Sequence, residues 1–86
     1  MHRARAVTWT AGYRLHVTFE DGMAGEIDLA DRLFGPMFAP LKDEAYFALA
    51  GVDAFGAVTW PNGADLDPDA LYARLADARA PSAAQG

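Results

Sequence analysis

The most regular stretch of the chain runs from Tyr13 to Glu20, where Tyr13, Leu15, Val17 and Phe19 alternate with Arg14, His16, Thr18 and Glu20. A period of two sends one set of side chains to a buried face and the other to water, as in a half-buried strand. Ahead of it, Ala6-Val7-Thr8-Trp9-Thr10 reads as a shorter strand, with Ala11-Gly12 as a two-residue hairpin connection because glycine reaches positive φ without strain. Behind it, Glu20-Asp21-Gly22 is a turn signal, and Ile27 and Leu29 resume the inward face. These three segments predict an antiparallel meander.

From Ala30 to Ala50 the period changes, and Leu33, Phe34, Met37, Phe38, Leu41, Tyr46, Phe47 and Leu49 fall irregularly around Pro36 and Pro40. Proline disfavours helix at the residue before it, so the segment divides into a helical turn at about 30–34 and a helix at about 43–49 capped by Asp43. Gly51 ends that helix, and Val52-Asp53-Ala54 with Ala57-Val58-Thr59-Trp60 predicts a second hairpin turning at Phe55-Gly56. Pro61-Asn62-Gly63 then stops the strand. Asp67 is placed to cap a last helix, Pro68 suits its first position and Asp69 faces its positive end. Leu71, Leu75 and Ala78 form its apolar stripe beside Tyr72, with Arg74 and Arg79 toward the negative end. The pattern predicts one α+β domain over residues 1–80, with a small, mainly antiparallel sheet (the meander plus the second hairpin) packed with two or three short helices. Residues 81–86 read as a disordered tail.

Composition narrows the chemistry. With no cysteine in 86 residues there is no disulfide, thiol nucleophile or thiolate metal site, and the domain is held by core burial alone. Five Phe, three Tyr and two Trp are therefore expected to build much of that core. No run approaches the ~18 apolar residues of a membrane span, and the N-terminus lacks a signal-peptide pattern, so a cytoplasmic protein without membrane association is expected. Charge is unevenly placed. Residues 1–14 carry Arg3, Arg5 and Arg14 and no acid, while the remainder carries four bases against twelve acids, for a net −5 and a pI near 4.6. An acidic body repels a polyanion, which argues against nucleic acid and leaves the basic N-terminus to meet an acidic partner or to offset the body's own charge.

Asp65, Asp67 and Asp69 alternate as at the opening of a calcium loop, but the positions that should carry Gly and Glu are Ala70 and Ala76. Capping accounts for Asp67 and Asp69, an Asx-type bond would account for Asp65, and no metal is assigned. His2 and His16 have no orienter and nucleophile at a matching spacing, and the glycines are too dispersed for a phosphate loop. No catalytic residue and no cofactor are therefore assigned. The segment densest in special residue types is Trp60-Pro61-Asn62-Gly63-Ala64-Asp65, where an indole wall, an amide and a carboxylate make Trp60, Asn62 and Asp65 candidate binding residues, although a strand-to-helix corner calls for the same residue types and is the favoured account of them. Trp9, on a short strand near a sheet edge, is either core or an anchor for a partner added as an extra strand.

Phe19-Glu20-Asp21-Gly22, Ile27-Asp28-Leu29, Phe38-Ala39-Pro40-Leu41, Phe47 and the run Val58-Thr59-Trp60-Pro61-Asn62-Gly63-Ala64-Asp65-Leu66-Asp67-Pro68-Asp69-Ala70-Leu71-Tyr72 resemble the small bacterial domain of unknown function 2442. The resemblance covers roughly residues 5–72. It implies a small α+β domain with no established activity. Some members carry an appended helix-turn-helix segment, and members are often encoded beside another small domain in an arrangement similar to a toxin and antitoxin pair. The chain has no stretch into which a helix-turn-helix fits, so DNA binding is not expected to carry over. The reading that follows is a non-enzymatic interaction module, partner of a co-encoded small protein or of a second copy of itself. The alternative is a small ligand-binding or hydrolytic domain built around Trp60, Asn62 and Asp65.

Overall fold

Leu15, Val17 and Phe19 are buried while Arg14, His16 and Glu20 are exposed, so the period-two pattern sorts the central strand between core and water. In the computed structural model, which describes residues 2–79, this strand is β2 (Arg14–Phe19), flanked by β1 (Ala4–Ala11) and β3 (Ala24–Asp28) in the order β1-β2-β3. Both pairings are antiparallel, with Val7 opposite Val17 and Leu15 opposite Ile27 on the inner side, and Thr8, His16 and Glu26 aligned on the outer side.

Two details of the meander differ from expectation. β1 extends two residues further toward the N-terminus, and the hairpin turns at Gly12-Tyr13 instead of Ala11-Gly12. The register shifts between Trp9 and Ala11, and the Trp9 indole N–H donates to the Gly12 carbonyl at 2.9 Å. The bulge thus displaces the turn by one residue and leaves Gly12, at φ 52°, as its left-handed position. Tyr13 leaves the strand, and its ring meets Phe47 edge-on with centroids 5.5 Å apart.

The second hairpin does not extend the first sheet. β4 (Gly51–Val52), β5 (Val58–Thr59) and β6 (Asp65–Leu66) form a separate antiparallel sheet in that order, so the hairpin gains a third strand that was not expected. The two sheets meet where the Ala4 N–H donates to the Gly56 carbonyl at 2.9 Å and an Arg3 Nη donates to the Ala54 carbonyl at 2.8 Å.

Between the sheets the chain makes 3-10 turns at Ala30–Arg32 and Ala39–Lys42, and then α1 (Glu44–Phe47). The expected helical turn at 30–34 is therefore shorter and 3-10. The turn around Pro40 was missed because proline, a helix breaker in mid-helix, is accepted in a first turn. Asp43 caps α1 as expected, its carboxylate accepting from the Ala45 N–H at 3.1 Å. The last helix, α2 (Pro68–Arg79), starts after Asp67, whose carboxylate accepts from the Asp69 N–H at 3.1 Å. Leu71 and Leu75 of its stripe are buried against the meander; the side chains of Ala78 and Arg79, the expected end near Ala80 and the tail at 81–86 lie outside the described residues.

The core joins Leu15, Val17, Phe19, Ile27 and Leu29 of the meander region to Leu41, Phe47, Val58, Trp60, Leu71 and Leu75. It uses fewer aromatics than expected. Phe19, Phe47 and Trp60 are buried and Tyr13, Phe38, Tyr46 and Tyr72 half-buried, but Trp9, Phe34 and Phe55 are 40%, 68% and 78% exposed. Aliphatic residues fill most of the remaining volume. Among the described residues no helix is long and apolar enough to cross a membrane.

Candidate functional site

The corner between β5 and β6 was singled out by its residue types, and each has a definite place. Trp60 is 3% exposed; its indole N–H donates to the Phe47 carbonyl at 2.9 Å and its ring tilts against the Phe47 ring at 5.6 Å. Asn62 bridges two segments: its Nδ2 donates to the Met37 carbonyl at 3.0 Å and its Oδ1 accepts from the Ala64 N–H at 3.0 Å. The Asx-type bond expected of Asp65 is thus made by Asn62, whose Oδ1 accepts from the N–H two residues on. Asp65 is the exposed residue of β6, opposite Thr59. The structure brings Trp60 and Asn62 to one corner but turns them to different tasks, one inward to α1 and the other across to the 35–38 turn. Two surface depressions of about 290 and 310 Å³ lie elsewhere, on either side of Asp28. The first is walled by Arg74, whose guanidinium is already held by the Asp28 carbonyl and the Asp31 carboxylate, both at 2.8 Å. Among the described residues no group of three or more His, Cys, Asp or Glu is placed to hold a metal ion.

The fourth residue singled out, Trp9, lies on β1, an outer strand of the meander. β1 has its ladder with β2 alone, its other side meets β4 and the Gly56 turn at the strand's start, and the other edge of the meander, β3, is packed by α2, where Leu75 closes on Gly25. From Arg5 to Ala11 every β1 residue except half-buried Val7 is exposed. Trp9 is aligned with inward-facing Leu15, but at the strand's outer limit it is 40% exposed, so it extends the inner face beyond the core instead of completing it. At the other end of β1 the tip of the β4–β5 turn presents Phe55, 78% exposed, beside Arg3.

The charges along β1 are settled except for one. The Arg3 Nε lies 3.5 Å from the Glu20 carboxylate, Arg14 Nε lies 3.8 Å from Asp28, and Glu26 accepts from the Thr10 hydroxyl at 2.7 Å. Arg5, at the register shift between Ala4 and Ala6, has no ion pair or hydrogen-bonded side-chain partner among the described residues. The sequence places it with Arg3 and Arg14 in a segment without acid but does not separate it from them.

N-terminal to β1 the chain is fastened to α2. The His2 ring stacks on Tyr72 at 3.6 Å and 15°, and Asp69 receives the His2 backbone N–H at 2.6 Å, with His2 Nδ1 3.0 Å away. Those two contacts, the backbone one first, hold the Asp69 carboxyl below its ordinary value. Tyr72 donates its hydroxyl to Asp21 at 2.6 Å, which with the Met23 N–H does the same to Asp21. The latch fixes where β1 begins.

Comparison with known proteins places the chain. The model of a family described as "Protein of unknown function (DUF2442)" matches residues 4–77. A solved crystal structure described as a "Putative DNA Binding Protein" from Nitrosomonas europaea is similar, with 30% identity and a TM-score of 0.78. The match covers 91% of this chain and 51% of that one, so the chain spans about half the length of the solved protein. No curated protein matches.

Proposed function

The chain belongs to the DUF2442 family, and from that premise we propose that it works as a non-enzymatic interaction module, an antitoxin-like partner of a co-encoded small protein. The observation that carries the reading is exposed Trp9 toward the far end of β1, a strand whose ladder is with β2 alone and whose start is met by the Gly56 turn. A strand edge offers backbone donors and acceptors that another chain can complete, and proteins that do not use such an edge commonly cover it or shorten it. Trp9 is the proposed anchor, since aromatic residues carry a disproportionate share of interface energy. Trp60 and Asn62 support the module in this reading by holding the corner that sets β5 against α1. Asp65 is the member of that corner left facing solvent, and a binding role for the corner rests on it.

The test is co-expression of the tagged chain with the product of its neighbouring gene. A stoichiometric complex that survives gel filtration is the expected result. Elution of the chain alone at every concentration tried overturns the reading.

The solved neighbour's description favours a second reading, binding of duplex DNA. It predicts association that weakens steeply with salt, as counterion release requires. The net charge of −5 weighs against it, and about half of the neighbour's chain has no counterpart in the match. Absence of any mobility shift at low salt would remove it.

A further inference from the structure

We propose that Asn62-Gly63 is a site of spontaneous covalent modification, where the asparagine converts to aspartate and isoaspartate, and that three hydrogen bonds of the folded corner hold the reaction shut until the 35–38 turn lifts away. The site needs no partner and is independent of the interaction role proposed above.

The reacting groups are adjacent in sequence. Asn62 is the chain's one asparagine, and the residue after it has no Cβ to shield its backbone nitrogen. Once that nitrogen gives its proton to water or hydroxide it attacks the Asn62 Cγ, closing a five-membered ring. Nδ2 then takes up a proton and leaves as ammonia, and a succinimide remains. Water opens the ring in one of two ways. Attack at Cγ restores the main chain with an aspartate, whereas attack at the backbone carbonyl carbon of residue 62 leaves the chain running through Cγ as isoaspartate. In sum a water is consumed and an ammonia released, with no oxidant or reductant. Asn62 and Gly63 are both exposed, so water reaches every step.

The fold opposes ring closure at each atom that takes part. The nucleophile is occupied, since the Gly63 N–H donates to the Trp60 carbonyl at 2.9 Å. The carboxamide is pinned at both ends, Oδ1 by the Ala64 N–H and the leaving Nδ2 by the Met37 carbonyl, each at 3.0 Å. Two of these bonds lie within the corner, but the third reaches 25 residues along the chain. It depends on a turn in which the Phe38 and Ala39 N–H groups donate to the Gly35 carbonyl at 3.2 and 2.8 Å, with Gly35 at φ 87°. Opening of that turn frees Nδ2 first, and the carboxamide can then swing toward the Gly63 nitrogen. Asp21-Gly22 also pairs a carboxyl group with a glycine, but its carboxylate accepts from the Tyr72 hydroxyl and the Met23 N–H, and an anion is a poor target for a second anion.

Both products hinder reclosing. Aspartate keeps the acceptor for the Ala64 N–H but sets a carboxylate oxygen against the Met37 carbonyl. Isoaspartate adds an atom to the main chain between Trp60 and Ala64, across which the Trp60 N–H donates to the Ala64 carbonyl at 3.0 Å to close the β5–β6 hairpin.

The test incubates the full chain at mildly alkaline pH, native and in denaturing urea, beside a capped peptide of residues 57–67. Peptide mapping follows the amide-to-acid mass change at Asn62 and the share of isoaspartate. The unfolded chain should convert at the peptide's rate and the native chain at least tenfold more slowly, since it reacts only through local opening. Gly35→Ala puts a side chain at a φ that disfavours one, with open space around it, so it should loosen the turn carrying Met37 and speed native conversion at least threefold. A measurement on the parent needs no variant: as urea is raised below the unfolding transition, conversion at Asn62 and hydrogen exchange at Ala64 should rise together. Native conversion as fast as the peptide's, no conversion in urea, or a folded Gly35→Ala variant that converts at the parent's rate overturns the proposal. So does conversion that stays flat while Ala64 exchange accelerates.

Discussion

The indole N–H of Trp60 donates to the carbonyl of Phe47 at 2.9 Å, a buried bond that joins the end of β5 to the last residue of α1. The two rings also pack at 5.6 Å, so bond and contact act on the same joint. Replacing Trp60 by Phe keeps a ring but deletes the donor and part of the volume. The expected loss is about 2 kcal/mol, combining a lost buried hydrogen bond with a small cavity. Urea unfolding of the variant checks it, and a loss below about 0.5 kcal/mol would mean that the joint contributes little.

Asn62 works by a different principle, because its two ends serve two segments. Asn62→Asp keeps the oxygen that accepts from the Ala64 N–H and removes the donor to the Met37 carbonyl, whereas Asn62→Ala removes both. The aspartate variant should speed hydrogen exchange in the 35–38 turn and leave Ala64 protected. The alanine variant should expose both, at a cost of about 1–2 kcal/mol. If exchange at Ala64 is the same in the two variants, the Asx bond is not what holds that turn.

These two side chains also mark how far the fold can be read from sequence. Trp60, Asn62 and the caps Asp43 and Asp67 are local signals, and each sits in the kind of position its residue type predicts. The β2 alternation is legible because six residues sample the period three times. β6 was not, since two residues cannot show a period, and its pairing with β5 exists only because the Asn62 turn folds the chain back. That Arg5 differs from Arg3 and Arg14 was illegible for another reason: an unmatched charge is a statement about every other charge, and only the fold reveals that Arg3 and Arg14 are taken. The separation of the two sheets depends likewise on the contact between Arg3 and the Gly56 turn, 53 residues apart in sequence.

That contact gives a sharper prediction. Gly56 has φ 80°, and a Cβ placed there would lie 2.9 Å from the Cα of Arg3. Gly56→Ala therefore meets backbone strain and a collision with main chain that cannot rotate away. The start of β1 should detach from the turn, losing the bond from the Ala4 N–H to the Gly56 carbonyl. A destabilisation of about 2 kcal/mol is expected, with faster exchange at Ala4 and little change at Leu15 or Val17. Uniform loss of protection across all of β2 would instead show that the two sheets unfold as one unit.

Acid should act through three exposed carboxylates. Asp21 is held below its ordinary value first by the Tyr72 hydroxyl, Asp31 first by its hydrogen bond from Arg74, and Asp69 first by the His2 backbone N–H. A carboxyl whose folded pKa lies below its unfolded one adds stability that is complete above the unfolded value, near 4, and is lost as the pH falls through the folded one. Stability should thus be flat in these groups toward neutral pH and decline below about pH 4. Their exposure keeps each contribution small. Tyr72→Phe separates the causes, since it removes the donor to Asp21 and leaves the Arg74 contact to Asp31 in place. Carboxyl carbon titration by NMR should then show the Asp21 midpoint moving up while that of Asp31 stays. Adding salt to the parent should raise Asp31 more than Asp21, because Arg74 holds it through a charged partner and the phenol holds Asp21 through a neutral one. An Asp21 midpoint indifferent to the loss of the hydroxyl would show that the hydroxyl does not hold this carboxylate in solution.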